Sequence, residues 1–344
     1  MQHIKEIVKK YWKPVLKSIA FVAIFLVLFS YVQDIFELKG QGYGKYRCFN
    51  WEEPNSINVI FFGNSRTNRG VNPVVVDEVA GTHSFNYGLQ GLRANQVYYR
   101  VLDAFKTQSP KLIVLESSIC VSASASLEES YAHRALVSLP TSISKIEAAL
   151  DLGEDDQMKA ELIMPLLRFH TRFREIEAVD FRYIMDLNPE YPYSNQPAEE
   201  VMETSRGYTP YETDLALEDD GKGFFDKDYA SITKVKAPDE KLEYYFKKIV
   251  EFAEEHGAKV LILSIPSMDK KETPKEIIPL TNYLRQLYAD DENVAFLDAT
   301  TDMKSYGLGY DCYHNVGHLN RQGAKKLSGY IGQFLKENYS YIID

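Results

Sequence analysis

Cysteine is scarce: Cys48, Cys120 and Cys312 are far apart and odd in number. That excludes a disulfide framework and the usual cysteine metal motifs, and a chain of 344 residues needs no covalent staple to fold. Three buried or unpaired thiols are the expectation, with Cys312 closest to the chemistry argued below. Glycine-rich phosphate loops and dinucleotide fingerprints are also missing, since the glycines near Ser65 and Gly88 fit neither pattern. No spacing of His, Cys or Asp reads as a metal site, and no cofactor is expected. Basic charge is lacking over almost the whole chain. The first seventeen residues hold five lysines against Glu6, so a formal total of -10 leaves -14 on the remainder. Such a body excludes nucleic acid as a partner, because phosphate binding needs a basic patch. Internal repeats and low-complexity tracts are absent.

There is one long apolar run, and it lies at the N-terminus. Ser18 to Val32 carries no charge, lysines precede it, and Asp34 and Glu37 follow. The run falls short of the ~20 residues that span a bilayer comfortably; Trp12, Val15 and Leu16 extend it, with Lys17 snorkelling to the headgroups. Basic residues before and acidic residues after place the N-terminus in the cytoplasm. No small-x-small cleavage site follows, which favours an uncleaved anchor over a signal peptide. The expected division is a cytoplasmic tail (1–17), a single transmembrane anchor (18–36), a linker (37–57) and an extracytoplasmic domain (58–344) at the cell membrane.

Within that domain, buried strands are expected at 58–62, 112–115, 259–265 and 294–297, each a short apolar run, with a further short strand candidate at 83–86. Amphipathic helices are expected at 93–107, 241–256, 277–288 and 321–336, with Gly257 as a C-cap. Strands alternating with helices imply an α/β fold: a three-layer α/β/α domain around a five-stranded parallel sheet. Residues 121–235 interrupt the alternation. They hold helical stretches at 142–152 and 161–178 and a polar, Tyr/Pro/Gly-rich stretch at 189–228. They read as one insertion, a lid or substrate platform over the site.

Ligands of such sheets bind at the carboxyl ends of the strands. Ser65, Gly88 and Glu116 each follow a strand end, and His318 follows the last strand. A serine hydroxyl needs an adjacent base to become a nucleophile, and donors aimed at the oxyanion that develops. Ser65 can also be read as a plain helix N-cap, and His318 as an ordinary surface histidine. In combination, Gly63-Asn64-Ser65, Asn86-Tyr87-Gly88-Leu89 and His318-Leu-Asn-x-x-Gly-Ala resemble the blocks of the SGNH (GDSL-type) hydrolase superfamily, over residues 58–118 and 240–337. The layout of one anchor and one such domain is similar to extracytoplasmic members that work with membrane-bound O-acyltransferases, among them the teichoic acid D-alanyl transfer protein and alginate O-acetyltransferase subunits.

The resemblance implies Ser65 as nucleophile, His318 as general base, and backbone N–H groups of Ser65 and Gly88 as oxyanion donors. It implies transfer or hydrolysis of a small acyl group, with acetyl on a cell-surface polysaccharide the expected case and a membrane-bound O-acyltransferase a possible partner. Three positions depart from the family pattern. Asn315 stands where the family has aspartate, three residues before the histidine. Asp311 is the alternative source of that charge, or pairs instead with His314. The strand end at Glu116 lacks the third block with its oxyanion asparagine, and Asn64 replaces an aspartate. A non-catalytic subunit that binds a glycan or carrier is therefore the second reading. Asn64, Arg66, Asn86, Glu116, His314 and, from the insertion, His133 and Arg134 are candidate substrate contacts; for the last two a plain structural role is the competing view.

Overall fold

The structure is a computed structural model that describes residues 2–37, 41–122, 125–137, 139, 142–177, 180, 205–211 and 223–342. Five parallel strands form one sheet: β1 (Val59–Phe62), β2 (Ser84–Asn86), β3 (Leu112–Glu116), β4 (Lys259–Leu263) and β5 (Val294–Leu297), in the order β2-β1-β3-β4-β5. The three inner strands are apolar on both faces because helices cover both. On one face α5 (Ala94–Ala104), α10 (Glu240–Glu255) and α11 (Ile278–Leu287) pack on Ile60, Phe62, Ile113, Leu115, Val260 and Ile262. On the other, α4 (Pro73–Ala80) and α12 (Arg321–Asn338) pack on Val59, Phe61, Val114, Leu261 and Leu263. This is the expected three-layer α/β/α fold. Its strand order reverses direction between β1 and β3, and the crevice beyond that reversal is the ligand position of doubly wound sheets.

Three regions differ from expectation. Residues 37–57 are not a plain linker: α2 (Gln41–Trp51) docks on the sheet, burying Cys48 and Phe49, and Phe49 stacks on Tyr87 at 4.5 Å. One long helix over 161–178 is not formed. Pro165 lacks an N–H and disfavours helix in the residue before it, so the segment splits into α8 (Asp156–Ile163), α9 (Pro165–Phe169) and a 3-10 turn over His170–Arg174. The final loop carries an antiparallel hairpin, β6 (Tyr313–Asn315) and β7 (His318–Leu319).

The insertion has its own small core. Residues of α6 (Ala125–Val137), α7 (Ile143–Leu152) and α8 meet through Ala132, Leu136, Ala148, Ala149, Leu152, Met158 and Leu162. Most of the polar 189–228 stretch lies outside the described residues. The N-terminal helix α1 (Gln2–Phe36) has one segment, Lys10–Gln33, long and apolar enough to cross a membrane. Its 24 residues reach ~36 Å at 1.5 Å each, longer than the run expected from residue 18.

Candidate active site

Ser65 is the first residue of the short helix α3 (Ser65–Gly70), three positions past β1. Two features force the turn there. The Asn64 side chain caps the helix, accepting from Arg66 N at 2.9 Å, and Gly63 admits no side chain, since a Cβ would lie 2.0 Å from Thr67 Oγ1. At the other end of the chain, the hairpin register sets Asn315 opposite His318. The two halves converge 253 residues apart in sequence: His318 Nε2 lies 2.7 Å from Ser65 Oγ, and His318 Nδ1 lies 2.9 Å from Asn315 Oδ1.

The hydrogen bonds decide the tautomer. Asn315 Oδ1 also accepts from Gly317 N at 3.0 Å, so this oxygen faces His318 as a pure acceptor and Nδ1 must carry the proton. Nε2 is then left with its lone pair, and the Ser65 hydroxyl donates to it. That is the arrangement a general base requires. The His318 pKa is lowered to about 4, first by burial, then by the Arg66 and Arg69 guanidiniums and by His314. The imidazole is neutral at pH 7 and able to take a proton, but it is a weak base, and among the described residues no carboxylate is bonded to it to stabilise the imidazolium.

Asp311 does not fill that role. Its carboxylate accepts from Gln322 Nε2 at 2.7 Å and from Cys312 Sγ at 3.5 Å, because α12 begins beside it and supplies a donor. Nor does it pair with His314. That ring stacks on Tyr211 at 3.7 Å and 10°, and its buried Nδ1 has no partner among the described residues. Tyr211 also meets His318 edge-on at 5.9 Å. Arg69 lies 4.5 Å over the Tyr211 ring and donates to the Thr209 and Pro210 carbonyls at 2.9 and 2.7 Å. A segment of the insertion thus closes over the histidine.

Other candidate contact residues have partners within the protein. Asn86 is fully buried and committed: Nδ2 donates to Thr67 O and Val71 O, each at 2.7 Å, and Oδ1 accepts from Gly88 N at 3.1 Å. The Gly88 N–H, expected as an oxyanion donor, is therefore held by Asn86. Gly88 still sits against α3, since a Cβ there would fall 2.9 Å from Thr67. The N–H of Ser65 has no acceptor among the described residues, as befits the first position of a helix. Glu116 is buried and bonded to Ser118, whose hydroxyl donates to it at 2.5 Å while accepting from Asn64 Nδ2 at 2.8 Å. Burial raises its pKa. This chain of bonds braces the cap under Ser65. Arg66 is nearly buried and pairs with Glu272 at 2.6 Å.

His133 and Arg134 lie on α6, in contacts of the insertion. Arg134 donates to Gln90 O at 2.7 Å. His133 faces Glu161 at 3.9 Å, and burial, then Arg168, lowers its pKa to about 4. Glu129, His133 and Glu161 bring ligand atoms within 4.8 Å of one another, a cluster whose Glu129–His133 spacing of four was legible in the sequence. Arg168 already supplies positive charge there, 3.2 Å from Glu129 and 3.4 Å from Glu161.

Reading the sequence also missed Lys45. It is fully buried, and its Nζ donates to Asn68 Oδ1 and Gly88 O, each at 2.6 Å. Burial, then Arg100 and Arg69, pushes its pKa well below the usual lysine range. Neither Lys45 nor Tyr211 lies in a motif, so nothing in their neighbours marked them.

The chain is similar to several solved structures at low identity. A GDSL-like lipase from Bacteroides thetaiotaomicron is 13% identical, with 86% of this chain and 98% of that chain covered and a TM-score of 0.39. A protein assigned to the G-D-S-L lipolytic family from Desulfitobacterium hafniense is 12% identical, with 82% and 99% covered and a TM-score of 0.36. A protein described as an acylhydrolase from Bacteroides fragilis is 13% identical, with 84% and 92% covered and a TM-score of 0.37. No protein-family profile matches the chain, and no curated protein matches it in sequence.

Proposed function

We propose that this chain is a membrane-anchored, extracytoplasmic acyl enzyme with Ser65 as nucleophile and His318 as base. The observation that carries the reading is the Asn315–His318–Ser65 relay, with Nε2 unprotonated and 2.7 Å from Oγ. Ser65 Oγ attacks the acyl carbon while its proton passes to Nε2, and the oxyanion forms beside the Ser65 N–H. The ester C–O bond breaks, and His318 returns the proton to the departing alcohol. Water or a sugar hydroxyl then attacks the acyl-serine, giving its proton to His318; the acyl–Oγ bond breaks, and His318 returns that proton to Ser65 Oγ. Esterase and transferase differ only in that second nucleophile. The substrate proposed is a small O-acyl group, acetyl foremost, on a cell-surface polysaccharide. A membrane-bound O-acyltransferase is the proposed source of the acyl group in the transfer case. The apolar segment Lys10–Gln33 and the lysines before it support the anchor.

A second reading, a glycan-binding subunit without turnover, is favoured by one observation: the Gly88 N–H is engaged by Asn86. Fluorophosphonate labelling of the detergent-solubilised chain separates the two. Labelling of wild type that is lost in Ser65→Ala and in His318→Ala supports the acyl enzyme. A folded wild type that resists the probe while retaining glycan binding supports the subunit.

A further inference from the structure

The insertion grips the last turn of α1 from two sides. From α9, Leu166 N donates to Gln33 Oε1 at 2.8 Å. From the turn after it, Arg172 Nη1 donates to the carbonyls of Phe36 at 2.8 Å and Glu37 at 3.1 Å, capping the helix end. From α7, Lys145 Nζ meets Glu37 Oε1 at 3.2 Å, both side chains buried. The apolar segment of α1 ends at Gln33, so these parts of the insertion stand at the depth where a bilayer gives way to water.

At that depth they expose apolar side chains. Leu167 is 45% exposed, Phe173 61% and Ile143 77%, and each lies within two residues of a group bonded to the α1 terminus. Ile146 and Leu150 extend the Ile143 stripe at helical spacing, while the opposite face of α7 is buried in the insertion's own core. On α1 the exposed apolar surface continues up to Tyr31 and Val32. Charge agrees with the placement. Arg168 pairs with Glu129 and Glu161 and Arg172 with Asp180; Arg174 adds a further cation in a body of -14, its guanidinium 5.2 Å from the Phe173 ring centre. Aromatic and aliphatic groups beside arginine are the composition of segments that lie in a headgroup layer.

We infer that Leu167, Phe173 and Ile143 form a collar around the anchor that seats the insertion in the bilayer interface. The occupant of this apolar surface is the headgroup and acyl boundary of the leaflet on the ectodomain side, with anionic lipid favoured. The inference rests on the anchor reading above. Its consequence is mechanical: the domain is held in one pose on the membrane rather than swinging on a tether.

The test is nitroxide labelling of the full chain in phosphatidylcholine/phosphatidylglycerol nanodiscs. Single cysteines at Leu167, Phe173 and Ile143 are compared with Ile24 inside the anchor and Tyr244, which is exposed on α10. Cys48, Cys120 and Cys312 are all buried and will not compete for the label. Collision with oxygen reports lipid, and collision with a water-soluble nickel chelate reports solvent. The collar sites are expected to resemble Ile24, with an oxygen-to-nickel ratio several-fold above that of Tyr244. Collar sites that match Tyr244 while Ile24 reads as lipid overturn the collar and leave the anchor standing. Ile24 reading as solvent overturns the anchor, and the collar with it.

Discussion

Replacing Asn315 by aspartate puts a negative charge where the relay has only an amide dipole. The acceptor atom sits 2.9 Å from His318 Nδ1, which puts charge centres ~4 Å apart; at an effective dielectric near 20 that attraction is about 4 kcal/mol for an imidazolium. Burying the carboxylate offsets part of it, although the Gly317 N–H remains as a donor to it. A rise of about 1–3 pKa units is the realistic range for one neighbouring charge. His318 would move from about 4 into a range where a base is more effective at neutral pH. Because the amide already holds the correct tautomer, the gain is electrostatic alone. With about half of the added basicity expressed in the transition state, the serine should react roughly 3- to 30-fold faster at pH 7. The assay is the second-order rate of fluorophosphonate labelling from pH 4 to 9, with thermal melts to confirm folding. An acid limb that stays near its wild-type position in Asn315→Asp, with no increase in rate, refutes Asn315 as the partner of His318.

Three further expectations follow from the structure. In wild type the acid limb of labelling should fall near pH 4, because only below that does His318 hold a proton; a limb at pH 6 to 7 would contradict the burial argument. His318 and His133 both titrate near 4 when folded, against about 6.5 when unfolded. The unfolded chain therefore binds more protons between those values, and their contribution to stability, full above pH 6.5, should be lost as pH falls toward 4. Urea midpoints measured across that window check the sign. Lys45→Met removes the buried donor shared by Asn68 and Gly88 and should cost about 2 kcal/mol. An unchanged urea midpoint would show that α2 and the strand ends hold without it.

The strands were legible because burial on both faces requires continuous apolar runs, as in Val59–Phe62 and Leu112–Glu116. Helices α10 and α12 were legible from their amphipathic period, and Gly63 and Asn64 marked a sharp strand-to-helix turn. Local sequence carries these features because each depends on a residue and its near neighbours. The helical stretch expected over 161–178 is interrupted at Met164, before Pro165, and α2 went unseen because its docking on Tyr87 and Phe85 has no local signature.

Sequence by itself determined which residues are candidates for the proposed chemistry and on which side of the sheet they must gather, since strand polarity places every loop after a parallel strand at one edge. Only the tertiary structure decided their partners. Asn315 rather than Asp311 meets His318 because the hairpin register puts it there. Asn86 holds the Gly88 N–H because α3 packs against the end of β2, and Lys45 becomes buried because α2 covers the site from behind. Partner choice is a matter of distances across the fold, set by packing between segments far apart in sequence, which no window along the chain contains.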